Sequence, residues 1–495
     1  MMWIMARWTE AAIVKPLSAA RPARTMAGST GTILCGVTLT GFLLPSEYAM
    51  GVFAAAAIGV GLSLTLATVI EAMAGVRNLI RTDVLILWSL YGLTLLEFLS
   101  PQSDVDAMVS PAAATSGTYA VLVGFAGLAL GRHLVPRGRA SRRASVFAEV
   151  RPASFLLLFV LATLLGYLHV FLAVNFDPFE AVRQMSLPRF SQSWGRGRYG
   201  DAYSLLYELG ALICLIPPLA GIIYARSRDY NFIQKVLVTI ILLFTLYYGF
   251  SSGTRYVLVG YVTTFFGAYL LNKGRLKFKH VLYMGVVLGL LLVGTAYMLK
   301  FRTTGLGNFS FADSAPDTLS IDYNIVVISR LTEVFPNSYE FLGLEIPFYS
   351  LIHPIPRVFW PGKPEGLSVS VEEALGADGA HVTITSSFVG EAYISGGLVA
   401  VLFISLLFGA GAEMWNRVGR DINSPFAQLL YASGLFCAAF TMRSMVWLSV
   451  AMLPTLALWL FGKLWLSSAR RPAAGISSNR STVHCLRSGY PPDKG

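Results

Sequence analysis

Nine arginines lie in segments between apolar stretches that the charge distribution, described below, predicts to face away from the cytoplasm. Only two lysines lie in the same segments. The planar guanidinium of arginine holds phosphate oxygens with two hydrogen bonds, whereas the lysine ammonium is a point charge. For any single arginine, the alternative role is an interfacial anchor whose charge snorkels to water. As a set they predict a phosphate-binding cavity, and the eleven cations are Arg183, Arg189, Arg196, Arg198, Arg255, Arg302, Arg330, Arg357, Arg443, Lys300 and Lys363.

Two of these arginines lie in the stretch WGRGRYGD (194–201), in which glycines allow the backbone to approach a ligand closely. They are Arg196 and Arg198. In the same stretch, Tyr199 is suited to stack on a sugar ring, and Asp201 is suited to pair with Arg198 or with a sugar hydroxyl. This stretch is therefore a candidate binding segment for a phosphorylated sugar.

Two other arginines stand at the ends of apolar stretches. Arg255 follows GFSSGT with almost no loop around it, and Arg443 lies in the short turn TMRSM. Charges so close to hydrocarbon are costly unless they are paired or face an aqueous cavity. Trp360 and Tyr393 are further residues that could stack on sugars, although aromatic belts are common at membrane interfaces.

Few residues are suited to proton transfer on this side. His353 and His381 are the two histidines of the outer loops, while His169 lies within an apolar stretch and is read as a satisfied or pore-lining residue. Glu391, in SSFVGEAYISGG, stands where a long loop re-enters the membrane. A partly desolvated carboxylate there is suited to act as a general base, and it is equally suited to pair with one of the arginines.

Several common chemistries have no motif in this sequence. There is no GxSxG, HExxH or Walker A pattern, and the four cysteines form no CxxC pair that would indicate a zinc site or a disulfide framework. We therefore predict neither a metal nor a cofactor. The net charge of +11 does not indicate nucleic acid, because most of it lies in segments that set membrane orientation.

The elements that must position these residues are apolar helices. The chain has 495 residues, of which 55% are hydrophobic and only 13% are charged, against about 25% charged in soluble domains. Continuous runs rich in Leu, Ala and Gly favour helices over a β-barrel. We predict an all-α polytopic membrane protein with twelve spans, at 29–46, 49–72, 83–99, 115–131, 153–174, 203–224, 233–251, 255–272, 281–299, 394–412, 425–441 and 446–466.

The distribution of charge predicts the orientation of these spans. With residues 1–28 inside the cell, 27 of the 38 basic residues fall in inner segments, and 19 of the 27 acids fall outside. Positively charged residues concentrate on the cytoplasmic side of membrane proteins. Both termini are therefore predicted to be cytoplasmic.

The predicted organisation has five parts. Residues 1–28 form a cytoplasmic tail, 29–299 carry nine spans and the arginine-rich outer loop 175–202, and 300–393 form a large outer loop. Residues 394–466 carry the last three spans, and 467–495 form a disordered cytoplasmic tail. In the large loop, 321–335 has the spacing of an amphipathic helix that lies on the membrane or packs on the bundle. The prolines of 346–366 predict an extended loop without regular helix.

This organisation resembles that of the bacterial O-antigen polymerases and ligases. WGRGRYGD, SSGTRYVL, and HPIPRVFWPGKPEG followed by GEAYISGGL resemble stretches of the oligosaccharide repeat-unit polymerases (Wzy type), over about residues 150–460. The resemblance implies a GT-C-like bundle in the bacterial inner membrane. The donor would be a nascent glycan on undecaprenyl diphosphate, and the acceptor a hydroxyl of the next lipid-linked repeat unit at the periplasmic face.

The resemblance also implies roles for individual residues. Arginines bind the diphosphates and a His or Glu activates the acceptor, which makes Arg198, Arg255, Arg357, Glu391, His353 and His381 the candidate catalytic residues. The candidate substrate-binding residues are Arg183, Arg189, Arg196, Tyr199, Asp201, Trp360, Lys363 and Arg443. A chain-length regulator is a possible partner. Two other functions stay open: a ligase that attaches finished glycan, and a flippase for lipid-linked oligosaccharide, which would need charge within the spans, where Glu208 is the clearest.

Overall fold

The structure is a computed structural model. It describes residues 22–135, 150–194, 206, 208–273, 278–310, 323–364, 367, 375, 386–419 and 424–469. Across these residues the chain forms helices, turns and loops but no β-strand. The all-α prediction is therefore confirmed for the described part of the chain.

The α-helices follow one another with short connections. In chain order they are α1 (Pro22–Phe42), α2 (Ala49–Ala74), α3 (Thr82–Thr94), α4 (Val105–Met108), α5 (Pro111–Gly131), α6 (Pro152–Gly166), α7 (Leu168–Ala173), α8 (Pro178–Met185), α9 (Ile216–Ala225), α10 (Phe232–Ser251), α11 (Arg255–Asn272), α12 (Phe278–Thr304), α13 (Asn324–Val334), α14 (Glu345–Ile352), α15 (Ser387–Gly419), α16 (Pro425–Thr441) and α17 (Leu448–Ala469).

A helix overlaps each of the twelve predicted apolar runs. Four of them, α2, α5, α10 and α15, are long and apolar enough to cross a membrane. Others are shorter, because α3 and α9 continue into 3-10 turns and the run at 153–174 divides into α6 and α7. The chain is thus a helical protein with membrane-compatible spans, and the count of twelve stays a prediction.

Local sequence signals define where several helices begin. The Ser110 hydroxyl accepts a hydrogen bond from the Ala113 amide, and Pro111 occupies the first helical position of α5. At α10, Asn231 and Gln234 exchange side-chain hydrogen bonds with each other's backbone, which forms a capping box. These contacts satisfy amides that a helix start otherwise leaves unpaired.

The packing centres on the pair α5 and α15. Both helices carry glycines at their contact, and a Cβ atom at Gly131 would lie only 2.2 Å from the Leu406 carbonyl oxygen. One at Gly409 would lie 2.4 Å from the Leu128 carbonyl oxygen. Small residues at such contacts let helix backbones approach closely, which is a common way for membrane helices to associate.

The helix ends that the sequence assigns to the cytoplasmic side meet in one buried ionic network. Its charged members are Glu71 of α2, Arg81 and Asp83 at the start of α3, Arg132 after α5, and Glu413 of α15. Arg81 Nη2 lies 2.8 Å from an Asp83 oxygen and 3.3 Å from a Glu413 oxygen, while Arg132 Nη1 lies 3.2 Å from Asp83. The network holds these helix ends together away from water.

In the large outer loop, α13 packs on the bundle. Ile325, Ile328 and Leu331, which the spacing placed on one face, are all fully buried. Asn324 Nδ2 donates to the Leu93 carbonyl oxygen at 2.8 Å, which ties the start of α13 to the end of α3. Of the two arrangements left open for this helix, the structure has the packed one.

The prediction of an extended chain from 346 onward is wrong for its first residues. They form α14, a helix of 8 residues. Pro347 is compatible with this helix because it lies in the first turn, where the missing N–H would have no partner within the helix. Residues 353–362 then form turns, as the remaining prolines indicate.

Helix α15 is interrupted at two glycines. Gly396 and Gly397 have non-helical backbone angles, and Gly397 has φ of +66°. The carbonyls freed at this break are used by the outer loop: the Leu342 amide donates to Ile394 O and the Gly343 amide to Ser395 O, both at 3.0 Å. The break therefore separates a short outer half of α15 from its membrane-compatible half.

Candidate functional site

The turn between α16 and α17, residues 442–447, is held by one carboxylate. Glu391, in the outer half of α15, accepts hydrogen bonds from the Ser444 hydroxyl and from the amides of Met445 at 2.6 Å and Val446 at 3.0 Å. Its side chain is buried. Both carboxylate oxygens are thus engaged in holding the turn that carries Arg443.

This turn presents Arg443 to the start of α11. The guanidinium carbon of Arg443 lies 4.4 Å from the centroid of the Tyr256 ring, a cation–π contact. Arg443 is also close enough to Glu391 for their charges to interact. Glu391 is thus attached by hydrogen bonds to the turn of Arg443, and its described ion pairs do not include one with this arginine.

The first turn of α11 gathers further arginines. Arg189 Nη1 donates to the Thr254 hydroxyl at 3.3 Å, directly before Arg255, the first residue of the helix. On the other side, Gly253 packs against Arg302, so that a Cβ atom there would lie 2.5 Å from the Arg302 Cβ. Gly253 has φ of +63°, a conformation that favours glycine, so glycine is required here for both reasons.

We call this group the α11 arginine cluster; it comprises Arg189, Arg255, Arg302 and Arg443. Its members come from four separate parts of the chain: the loop after α8, the start of α11, the end of α12 and the turn before α17. Arg302 also lies over the Phe190 ring, with 5.3 Å between its guanidinium carbon and the ring centroid. The described contacts thus attach these arginines around residues 253–256, and guanidinium groups can bind phosphate oxygens with paired hydrogen bonds.

The loop after α14 lies beside this cluster through a row of aromatic rings. Tyr256 contacts Phe440 with 4.7 Å between ring centroids, and Phe440 contacts Trp447 at 6.2 Å. The imidazole of His353 then packs on Trp447 at 4.2 Å. The row connects the two parts of the site along one surface.

His353 is held in its neutral form. Burial, together with the charge of Lys363, lowers the pKa of its imidazole to about 4. Its Nδ1 atom is buried and has no hydrogen-bond partner among the described residues. The unused ring nitrogen can accept a proton, but a pKa near 4 makes this imidazole a weak base near pH 7.

Arg357 and Lys363 hold the shape of this loop. The Arg357 guanidinium donates to the carbonyls of Lys363 at 2.6 Å and Pro364 at 3.1 Å. The Lys363 ammonium donates to the carbonyls of His353 at 2.9 Å and Ile355 at 3.0 Å. These cations thus stabilise the turn around His353, and Trp360 lies within the same turn, with its backbone amide donating to Pro356 O at 3.3 Å.

The remaining candidate residues are not all brought together. Arg183 forms a surface ion pair with Glu180 at 3.1 Å, and its side chain is 75% exposed. Tyr393 contacts Phe341, with 6.1 Å between ring centroids. Five candidates lie outside the described residues: Arg196, Arg198, Tyr199, Asp201 and His381.

The sequence did not single out two groups that the structure makes prominent. Tyr256 and Ser444 stand in the stretches SSGTRYVL and TMRSM, next to arginines that the sequence singled out, but neither was given a role. The ionic network at the inner helix ends was read only as orientation signal, although Glu71, Asp83 and Glu413 are acids within or at the ends of apolar runs, which usually have partners.

No metal-binding group emerges from the described residues, where no three or more His, Cys, Asp or Glu side chains are arranged to hold an ion. A family model for a domain of unknown function (DUF8712) matches residues 323–422, from α13 to the end of α15. Neither a curated protein nor a solved structure gives a significant match to the chain. The matched segment contains His353, Arg357, Lys363 and Glu391 but ends before Arg443.

Proposed function

We propose that this chain is a membrane glycosyltransferase that polymerises lipid-linked oligosaccharide repeat units. It would transfer a nascent glycan from undecaprenyl diphosphate to a hydroxyl of the next lipid-linked unit, at the periplasmic face of the bacterial inner membrane. The observation that carries the proposal is the α11 arginine cluster, in which Arg189, Arg302 and Arg443 surround the first turn of α11 at Arg255.

The proposed reaction produces an anion where this cluster lies. The bond between the sugar's anomeric carbon and the diphosphate oxygen breaks, and its electron pair leaves with the polyprenyl diphosphate. The acceptor hydroxyl oxygen forms the new bond to the anomeric carbon and loses its proton to a base. Fixed guanidinium groups stabilise the negative charge that develops on the leaving diphosphate.

Of the candidate bases, we propose His353, because its Nδ1 atom has no partner among the described residues. Its pKa near 4 makes it a weak base at neutral pH, so this choice rests on the unused nitrogen and not on the pKa. Glu391, by contrast, has both oxygens occupied by the turn at 444–446. Its proposed role is therefore to position Arg443. His381 and Arg198 keep their roles as predictions outside the described residues.

The transporter alternative draws less support than the enzyme. It would need charge within the spans, and Glu208 was the clearest such residue. Glu208 interacts electrostatically with Lys363 of the loop after α14, so it belongs beside the proposed site. A ligase would perform the same chemistry on a different acceptor, and the products distinguish it from a polymerase.

The direct test is incubation of the purified protein with lipid-diphosphate oligosaccharide, followed by analysis of the products. We expect a ladder of products that differ by one repeat unit. Arg255→Ala and Arg198→Ala should abolish the long products while single units remain on the lipid carrier, and Arg443→Ala should reduce the rate by about 10²-fold. A single addition to a different acceptor would identify a ligase.

Arg226→Ala is the control, because this arginine directly follows α9, pairs with Asp229 at 2.8 Å and is not among the candidate site residues. Its product ladder should equal that of the unsubstituted protein. The proposal would be abandoned if Arg255→Ala and Arg443→Ala both produced full-length chains at the unsubstituted rate. Movement of lipid-linked sugar across vesicle membranes without formation of a linkage would identify a transporter.

A further inference from the structure

One face of α14 is apolar and uncovered. Leu344, Phe348, Leu351 and Ile355 are exposed, with Leu344 at 84% and Leu351 at 74%. Their spacing of four, three and four residues places them on one side of the helix and its first following turn. From 346 to 356 the chain carries no Asp, Glu, Lys or Arg. We call these four residues the α14 stripe.

The opposite face of α14 is attached to the bundle. Ile346 and Ile352 are buried, and the Ser350 hydroxyl donates to the Met445 carbonyl oxygen at 3.2 Å. The Ser449 hydroxyl, in the first turn of α17, donates in turn to the Ser350 carbonyl oxygen. These contacts fix the rotation of the helix, so the stripe cannot turn inward.

Both ends of the stripe adjoin surfaces that face lipid in a membrane protein. Gly343, next to Leu344, is hydrogen-bonded to Ser395, directly before the membrane-compatible half of α15, which begins with the exposed residues Leu398 and Val399. At the other end, His353 packs on Trp447, which is itself exposed at the start of α17. The stripe therefore continues an apolar surface that runs from α15 to α17.

We infer that α14 is an interfacial helix whose stripe is immersed in the acyl chains of the outer leaflet. Eight residues are too few to cross a bilayer, but an apolar helix face of this kind lies in the boundary between headgroups and acyl chains. The large outer loop is then not entirely a water-exposed cap, since α14 holds the segment of His353 at the membrane surface. This inference depends on the apolar surface alone and not on the proposed enzymatic function.

The test uses the full chain in lipid nanodiscs made of phosphatidylethanolamine and phosphatidylglycerol. A spin label is placed at Leu351→Cys, after Cys35 and Cys485 are replaced by serine. Its collisions with oxygen, which concentrates in lipid, and with a water-soluble nickel chelate are then compared. Val399→Cys, at a position 80% exposed on α15, serves as the lipid reference, and Asn337→Cys, at an exposed position of the outer loop, serves as the water reference.

We expect the label at 351 to match the one at 399, with frequent oxygen collisions and loss of nickel collisions. Nickel collisions equal to those at 337 would overturn the inference, because the stripe would then face water. Infrequent collisions with both reagents would also overturn it, because a protein partner or a second copy would then cover the stripe.

A second measurement uses native membranes and needs neither a spin label nor purified protein. In native membranes, a membrane-impermeant maleimide should react slowly with Leu351→Cys and quickly with Asn337→Cys. Val399→Cys should react as slowly as Leu351→Cys. Fast reaction at 351, equal to that at 337, would contradict the inference.

Discussion

Glu391 holds the turn that carries Arg443. Its carboxylate accepts three hydrogen bonds from the turn 444–446, and this turn carries Arg443 to the Tyr256 ring. Hydrogen bonds to a charged, buried acceptor are among the stronger ones in proteins. The position of Arg443 therefore depends on the charge and the shape of the side chain at 391.

Replacing Glu391 by Gln should separate positioning from proton transfer. The amide keeps one acceptor oxygen but turns N–H groups toward backbone amides, so we expect a loss of about 1–3 kcal/mol in the free energy of unfolding. Activity should fall in part, and the pH dependence of the remaining rate should stay as in the unsubstituted protein. Thermal unfolding in detergent and a pH–rate profile measure the two effects.

Complete loss of turnover in Glu391→Gln, with unfolding unchanged, would instead identify Glu391 as the proton acceptor. Glu391→Asp offers a further control, because it keeps the charge and shortens the side chain. It should still bind the turn, with longer hydrogen bonds, and should lose less stability than Glu391→Gln.

Among the secondary-structure elements, α15 combines two functions because it is broken. Its outer half carries Glu391 and receives the amides of Leu342 and Gly343, while its long half packs glycine against glycine on α5. A continuous helix would have no free carbonyls at 394 and 395 for the outer loop. The break thus couples the loop that carries α14 to the membrane-compatible part of the chain.

The break in α15 predicts that adding one methyl group at position 397 strongly lowers the stability of the protein. Gly397 has φ of +66° and ψ of −156°, a region that essentially only glycine occupies, and a Cβ atom there would lie 3.3 Å from Phe341. Gly397→Ala should therefore lower the free energy of unfolding by about 1–3 kcal/mol. Unfolding of the purified protein in detergent measures this difference.

Gly411→Ala is the matched control in the same helix. It lies within regular helix, and a Cβ atom there would meet nothing within 4 Å. Because alanine favours helix more than glycine does, this variant should be as stable as the unsubstituted protein or slightly more stable. If Gly397→Ala and Gly411→Ala were equally stable, the backbone conformation at position 397 would tolerate a side chain, and the prediction would be wrong.

The molecule has two groups of charged side chains, the ionic network at the inner helix ends and the α11 arginine cluster. At the inner helix ends, Arg81 and Arg132 lie among Glu71, Asp83 and Glu413 and are paired within the protein. At the other end, the α11 arginine cluster gathers cations around a single helix start. Buried ion pairs hold the helix ends of the inner network together. Guanidinium groups such as those of the α11 arginine cluster can bind an anionic ligand.

Arg132 should be the most sensitive residue of the inner network. Its side chain is 1% exposed, and its guanidinium donates to the hydroxyls of Ser29 at 2.6 Å and Thr30 at 2.8 Å as well as pairing with Asp83. Arg132→Met leaves buried carboxylates without this cation, so we expect a loss of about 3–5 kcal/mol in the free energy of unfolding.

The control for this prediction is Arg226→Ala, which removes a more accessible pair with Asp229 at 2.8 Å. Exposed ion pairs contribute about 0–1 kcal/mol, so this variant should unfold almost as the unsubstituted protein does. Both are measured by thermal unfolding in the same detergent. A similar, small effect of the two substitutions would mean that the inner network does not stabilise the fold.

Sequence reasoning was most successful for features that depend on contiguous residues. The apolar runs predicted the positions of the helices, and the spacing of Ile325, Ile328 and Leu331 predicted a face of α13 that is buried. It failed at α14, because prolines were read as excluding helix although Pro347 lies in a first turn. For the site, it singled out Glu391 and the turn of Arg443, but it did not predict the hydrogen bonds that join them.

By itself, the sequence determined that this chain is helical and apolar. These properties follow from the composition and periodicity of neighbouring residues, since burial in lipid acts on each helix separately. Only the tertiary structure decided which cations meet, because Arg189 and Thr254 are 65 positions apart and Glu391 and Ser444 are 53 apart. Contacts over such distances depend on how helices pack, and packing is decided by shape and by buried polar partners that no local pattern records.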